Sequence, residues 1–374
     1  MIREGYKRLG DYIEPVDERN SDLSVKLSQG ICNNKYFITP RQVAENSAND
    51  KIVRKGQFAY NRATTRNGDK ISIAYREGEG CTVSSAYQIF RIVDEEKLNP
   101  YYLWMWFRRP EFDRYARFKS RGSAHEFFEW DEMCEVYLPV PDIATQRRIV
   151  AEYQAVKKRI EKHRQCICRL EDTAKTLYKK SFVDGINPNQ LPQGWSYKSV
   201  FEVSKVTYGF PFDSELFSTD STLKPIIRIR DILSNTTDTF TSEDIDDKYF
   251  ISENDVLVGM DGVFHMTIWH GKKSLQNQRV VRFTANASKN ISPYQVFYSI
   301  IGPVKEAEGS VEGTTVAHLG DKDVKKMHVL VADDLSQEKT YKRFKAILDM
   351  VGSLKKECML LESMKQLLLE KLAK

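Results

Sequence analysis

Apolar residues recur at alternating steps of four and three through two long stretches of this chain. In the first, Ile149, Tyr153, Val156, Ile160, Ile167, Leu170, Ala174 and Leu177 keep the alternation, and His163 fills its one polar position. That pattern is the heptad seam of an amphipathic helix. Sliding the chain on itself by 191 residues brings a second seam into the same register: Thr340, Phe344, Ile347, Val351, Leu354, Cys358, Leu361, Lys365 and Leu368, with Thr340 and Lys365 as its polar exceptions. Lys157, Lys158, Arg159, Lys162 and Arg164 between the seam positions of one copy, and Lys342, Arg343, Lys345, Lys355 and Lys356 in the other, keep the outer faces solvated. A helix of about 35 residues is roughly 50 Å long, and an apolar stripe of that length needs a partner of similar length. The two copies are expected to pair as an intramolecular antiparallel coiled coil. The competing arrangement packs each helix on its own globular half.

The stretches before each seam also correspond, more weakly. Lys55 to Tyr60 parallels Glu253 to Val258, a polar turn feeding a strand, and Arg121-Gly122-Ser123 parallels Glu312-Gly313-Thr314 at the same offset of 191. Strands are predicted at residues 70–75 and 226–230, turns at residues 77–80 and 270–273, and a helix from near residue 100. Residues 184–194, rich in Pro, Gly and Asn, read as a linker. The expected fold is α+β: two mixed α/β halves, residues 1–144 and 183–335 with the linker, each followed by a long helix, residues 145–182 and 336–374.

Charge changes the picture of possible partners. The net charge is +5, but residues 145–182 hold eleven Lys and Arg against four Asp and Glu, and residues 336–374 nine against five, which leaves the rest net negative by six. A nucleic acid must therefore be met by local patches, because no global field steers the globular halves toward phosphate. The six cysteines have no Cys-x-x-Cys spacing, so they suggest neither a disulfide framework nor a zinc site. The start of the chain has no apolar export segment, and the expected location is the cytoplasm.

The order of parts then carries a resemblance. A mixed half, Leu138-Pro139-Val140-Pro141, a heptad helix opened by Gln146-Arg147-Arg148-Ile149-Val150, a second mixed half opened by Leu191-Pro192-Gln193-Gly194-Trp195, and a second heptad helix make the chain similar to the specificity subunit of type I restriction-modification systems. In the second copy the helix entry keeps only Gln337 of the first copy's run, and the first half lacks the Leu-Pro-x-Gly-Trp opening. The resemblance implies two target recognition domains that read a split sequence in double-stranded DNA and are held apart by the coiled coil. It also implies two modification subunits that supply S-adenosylmethionine and adenine methylation, and optional restriction subunits that use ATP and Mg. No cofactor is expected on this chain itself.

Chemistry of its own is hard to find in the chain. Asn99-Pro100-Tyr101-Tyr102 is close to the motif by which amino-methyltransferases hold a flipped base. Its counterpart in the second half, Ser292-Pro293-Tyr294, keeps what a helix start needs and loses the amide, which favours capping. Asp246-Asp247-Lys248 lacks the upstream carboxylate of a nuclease and reads as a solvated loop. No phosphate-binding Gly-rich loop is visible, and the histidines never share metal-ligand spacing on one helix face. The chain is expected not to be an enzyme. The alternatives are a methyltransferase or nuclease fragment, a coiled-coil scaffold without a DNA role, and the specificity subunit of a related methyltransferase-nuclease system.

Base edges are read by Arg, Lys, Asn, Gln, Ser and Thr on held loops, with phosphate contacts beside them. In the first half the candidates are Asn61, Arg62, Thr64, Thr65 and Arg66, followed by Lys119, Arg121 and Ser123 after Arg114 and Arg117. In the second half Arg228 and Arg230 are expected on one face of a strand. Lys272, Lys273, Gln276, Asn277, Gln278 and Arg279 are expected in one loop. Thr314 and Thr315 repeat the small polar turn of the first half, and Tyr208-Gly209-Phe210 offers a surface for sugar or a thymine methyl.

Overall fold

The structure, a computed structural model, describes residues 4–40, 47–63, 70–121, 126–309 and 317–373. The chain divides into two compact units, Met1–Ile160 with Leu360–Lys374, and Glu161–Met359. Each unit contains one globular half and a stretch of both long helices, which run Ile143–Phe182 and Asp334–Lys371. None of the seam positions is exposed. In the first unit Val150 and Tyr153 share a core with Leu369 and Leu372. In the second, Ala174 shares one with Phe344 and Leu348, Glu171 meets Lys355 at 3.0 Å, and His163 Nδ1 lies 3.3 Å from a Glu357 oxygen. Rising residue numbers on one helix thus meet falling numbers on the other, the antiparallel pairing that the shared heptad register calls for. His163 is half-buried in that seam beside its carboxylate.

Both globular halves build the same antiparallel four-stranded sheet. The strand order is Ile13–Val16, Tyr87–Ile92, Phe58–Asn61, Ile73–Tyr75 in the first and Ser204–Tyr208, Val280–Ala285, Val256–Gly259, Met266–Ile268 in the second. Phe58–Asn61 and Val256–Gly259, matched in sequence, hold the same place in the two sheets. Both strands are covered on both faces because successive side chains enter different cores. Phe58 and Tyr60 face the helices while Ala59 faces a second strand layer, and Val256 and Val258 divide from Leu257 in the same way. A two-stranded antiparallel ribbon closes each half, Tyr6–Arg8 with Tyr137–Pro139 and Ser196–Ser199 with His328–Val331. It brings the start of the half to the mouth of its long helix. The strand predicted at residues 70–75 begins only at Ile73, although Ile71 and Ser72 are already buried.

Two buried glutamines fix those helix mouths. Gln146 is fully buried; it accepts from the Asn99 N–H at 2.8 Å and donates to the carbonyls of Lys97 and Pro141 at 3.0 and 2.7 Å. Gln337, its counterpart, accepts from the Ala332 N–H and donates to the Asn290 carbonyl at 2.8 Å and to Gln295 Oε1 at 2.6 Å. Asn99 caps the helix Pro100–Phe107 through bonds from the Tyr101 and Tyr102 amides, and Ser292 Oγ accepts from the Tyr294 amide at the start of Pro293–Gly309. The capping reading of Asn-Pro-Tyr-Tyr holds.

The segment read as a linker is exposed along most of its length and is held at two points, with Trp195 just beyond it. Ile186, Leu191 and Trp195 lie against the core of the second unit, and Trp195 Nε1 donates to Asp333 Oδ2 at 3.0 Å. Composition marked its turns and not its few apolar anchors.

The second globular half also sits tightly on its own stretch of helix. A Cβ at Gly352 would come 3.1 Å from Glu253 Oε1 and 3.5 Å from His270 Nδ1, and Lys356 pairs with Glu253 at 2.8 Å. His270 is buried and its Nδ1 has no partner; burial, then Lys355 and Lys356, push its pKa down to about 3.

Two predictions follow from this packing. Gln337→Leu strands the Ala332 N–H and the Asn290 carbonyl, so it should lower stability by about 2 kcal/mol or more, read by urea unfolding; an unchanged midpoint would remove the clamp from the account. For His270 the unfolded chain, with a pKa near 6.5, takes up the proton first. Stability is then complete above about pH 6.5 and falls toward pH 3 with a slope approaching about 1.4 kcal/mol per pH unit. Thermal unfolding between pH 7 and 5 should show this fall in the parent chain and a shallower one in His270→Gln.

Candidate nucleic-acid interface

In the first unit the two candidate segments emerge side by side. Asn61 ends its strand and uses Oδ1 to accept from the Ala63 N–H at 3.1 Å, so its side chain shapes the turn. Ala63 bridges to Phe127, Phe127 bridges to Arg121, and the Phe128 N–H donates to the Arg62 carbonyl. Thr64, Thr65, Arg66 and Ser123 lie outside the described residues. Around this joint the described candidate cations are held by carboxylates: Arg62 by Glu129 at 3.3 Å, Arg117 by Glu126 at 2.5 Å, and Lys119 and Arg121 by Glu132 at 3.1 and 3.2 Å. Exposed pairs of this kind contribute about 0–1 kcal/mol, so a phosphate can take the place of the carboxylate at little cost.

Beneath the joint lies a buried ion pair that the sequence did not mark. Lys35 Nζ sits 2.7 Å from Asp113 and also donates to the Phe107 carbonyl, while Asp113 accepts from the Ile71 N–H at 3.2 Å. The pair fastens the chain at Ile71 to the helix Pro110–Lys119. Burial brings the Lys35 ammonium down to about 8.

The second unit repeats the joint. Asp261, just beyond the strand Val256–Gly259, bridges to His318, the position that Ala63 and Phe127 hold in the first unit. Asp261 takes His318 Nδ1 at 2.6 Å on one oxygen and Arg279 at 3.1 Å on the other. Thr314 and Thr315 lie outside the described residues.

Two expectations for this half need correction. Arg228 and Arg230 do not share a strand face. The strand ends at Ile227, and Ile229–Asp231 is a 3-10 turn closed by the buried Asp231, whose Oδ2 accepts from the Arg228 N–H at 3.0 Å. Gln276 is not a loop residue. It ends the strand Ser274–Gln276, is fully buried, and donates to the carbonyls of Thr207 and Val280 at 2.8 Å each. That strand pairs in parallel with Lys224–Ile227, a contact far apart in sequence that no local pattern announces. Parallel pairing has a consequence for the site, because it puts the C-terminal ends together. The Arg228–Arg230 turn and Asn277, Gln278 and Arg279 leave from one edge, with the Asn277 N–H donating to the Ile227 carbonyl. Exposed Lys272 and Lys273 are left at the other end, Lys273 over the Phe250 ring at 4.2 Å.

Arg230 and Arg228 both reach Asp238, at 3.2 and 3.7 Å, and Arg228 also donates to Thr239 Oγ1. Gly209 is required where it stands, since a Cβ there would lie 1.8 Å from the Asn277 carbonyl oxygen. Its neighbours are not free aromatic surface: Phe210 packs on Phe212 and Tyr249, and Tyr208 donates to Asp321 at 2.8 Å. The Asp261–His318–Arg279 cluster was missed because its members lie far apart in the chain. Only the Gly-Thr-Thr repeat pointed to the place.

No helix among the described residues is long and apolar enough to cross a membrane. Comparison with known proteins agrees with the architecture. Residues 192–358 match the family model described as the type I restriction modification DNA specificity domain. The chain is 32% identical over 132 residues to the type I restriction enzyme EcoBI specificity subunit of Escherichia coli, covering 35% of this chain and 28% of that protein. It is 21% identical over 309 residues to the MjaIX specificity subunit of Methanocaldococcus jannaschii, covering 75% and 70%. The matched stretch thus spans little more than a quarter of the first relative's length. The fold is that of the type I restriction-modification system S subunit from M. genitalium, with a TM-score of 0.59 at 12% identity over 99% of this chain and 96% of that one. Residues 192–358 are thus similar to the type I restriction modification DNA specificity domain, and the chain as a whole has the fold of a type I S subunit.

Proposed function

We propose that this chain reads a bipartite sequence in double-stranded DNA, one half-sequence with each globular half, and carries no catalytic step itself. The observation that supports this most directly is the repeated joint. The ends of two equivalent strands, at Ala63 and Asp261, bridge to equivalent residues, Phe127 and His318, with Arg62 and Arg121 beside the first joint and Arg279 at the second. Two like modules suit two half-sites on one duplex. Methyl transfer from S-adenosylmethionine, and any ATP- and Mg-dependent cleavage, then belong to modification and restriction subunits.

A surface for such partners is available on the second long helix. Leu360, Met364 and Leu367 are 67%, 50% and 56% exposed at i, i+4 and i+7, apart from the seam residues Leu361 and Leu368. An apolar stripe left in water marks a contact surface.

The test is co-expression with the modification subunit and mapping of methylated adenine in host DNA. The intact chain should give a split motif. Arg62→Ala with Arg121→Ala should relax only one half of it, and Arg230→Ala with Arg279→Ala only the other, each losing about 1–3 kcal/mol of discrimination per lost base contact. Methylation by this chain alone would overturn the non-catalytic reading. Leu360→Asp with Leu367→Asp should abolish co-purification of the modification subunit and leave thermal unfolding of the isolated chain unchanged; retained co-purification would move the partner surface elsewhere.

A further inference from the structure

Phe118 is 83% exposed, more than any other large hydrophobic side chain among the described residues. It stands in the last turn of the helix Pro110–Lys119, and its surroundings are cationic. Lys70, Arg114, Arg117 and Phe118 line one open surface depression with Pro110 and Asp113. Asp113, the carboxylate there, is already matched by the buried Lys35 at 2.7 Å. Arg117 is matched by Glu126 at 2.5 Å, but Lys70 is exposed and Arg114 shares the single carboxylate of Glu111 with Arg109, which leaves positive charge in excess around the ring. The place in the fold matters as much. Lys70 resumes the described chain after the first candidate segment, and Phe118 stands within the second, between Arg117 and Lys119 and a few residues before Arg121, which bridges to Phe127.

A Phe this exposed is unfavourable in water. An apolar protein partner would not call for cations beside it, whereas duplex DNA presents phosphates around apolar sugar faces and thymine methyl groups. We infer that the Phe118 ring, framed by Lys70, Arg114 and Arg117, is an apolar contact to double-stranded DNA in which the cations hold the flanking phosphates. This rests on the DNA-reading function proposed above and adds to it a binding residue that carries no charge and no hydrogen bond.

The absence of charge makes the contact separable from its neighbours. Binding of the full chain, assembled with modification subunits, is measured on a duplex carrying the mapped target at several salt concentrations. Phe118→Ala should weaken binding by about tenfold and leave the slope of log affinity against log salt unchanged. Arg114→Ala should weaken it and reduce that slope by about one. Phe118→Trp should keep the affinity and show quenching of the added indole by DNA. Because the ring is solvent-exposed, Phe118→Ala should unfold at the parent temperature, so a loss of binding would not be a loss of fold. If the parent complex binds no DNA, the reading function fails and the contact fails with it. If the parent binds and Phe118→Ala binds equally well, only the contact is overturned. The same holds if Phe118→Ala weakens assembly with the modification subunits and leaves DNA affinity intact, which would make the ring a protein contact.

Discussion

An amphipathic helix forty residues long cannot leave its apolar stripe in water, and in this chain the stripe is covered by a second copy of itself. The rest of the structure depends on that pairing. Because the copies share one heptad register, an antiparallel arrangement sets Ala174 with Phe344 and Leu348, and Val150 and Tyr153 with Leu369 and Leu372. Each compact unit consequently contains parts of both helices, and each globular half packs on a two-helix surface rather than on one helix. His163 beside Glu357 is the polar exception of the first seam, and such a residue in a seam serves register more than stability.

What carries the seam's order into the modules is a set of buried amides. Gln146 and Gln337 each bond three backbone or side-chain groups at the mouth of a long helix, and each reaches the loop that starts the helix of its module, at Asn99 or Asn290. A buried amide with its partners satisfied tolerates little movement, because every displaced bond leaves a desolvated group behind. The ribbons Tyr6–Arg8 with Tyr137–Pro139 and Ser196–Ser199 with His328–Val331 close the same corner from the other side. Each module is thereby fixed to its own stretch of helix at one end, and the strand ends at Ala63 and Asp261 are placed by a sheet that starts from that corner.

The sequence revealed most where the signal is local and periodic. Both seams, both helix caps and the equivalence of Phe58–Asn61 with Val256–Gly259 were legible from spacing alone. The reading failed where pairing joins residues far apart. Nothing near Arg228 announces that Ser274–Gln276 will pair in parallel with Lys224–Ile227, so an alternation of Ile and Arg looked like a strand face and a buried strand end looked like part of a loop. Gln146 and Gln337 were visible as a shared residue, but not as clamps, because their partners at Lys97 and Asn290 lie more than forty residues away. Lys35 with Asp113 and Asp261 with His318 and Arg279 escaped for the same reason. The linker's composition registers Pro, Gly and Asn more strongly than its two apolar anchors, Ile186 and Leu191.

The pairing of most described candidate cations with a carboxylate bears on how such a surface would discriminate. Free lysines and arginines bind any phosphate, and a reader with many of them is held by non-specific DNA. Here Glu126, Glu129 and Glu132 in one unit, and Asp238 and Asp261 in the other, already occupy the cations, and the globular parts carry a net negative charge. A phosphate alone gains little by displacing a carboxylate, since exchange of one exposed ion pair for another is nearly neutral. If these cations meet DNA, net affinity would come from contacts that only a fitting sequence supplies. Built-in acidic competitors lower affinity for every sequence, so the cations alone would not hold the chain on the competing sites of a genome, and the ratio between right and wrong sequences would rest on the base contacts.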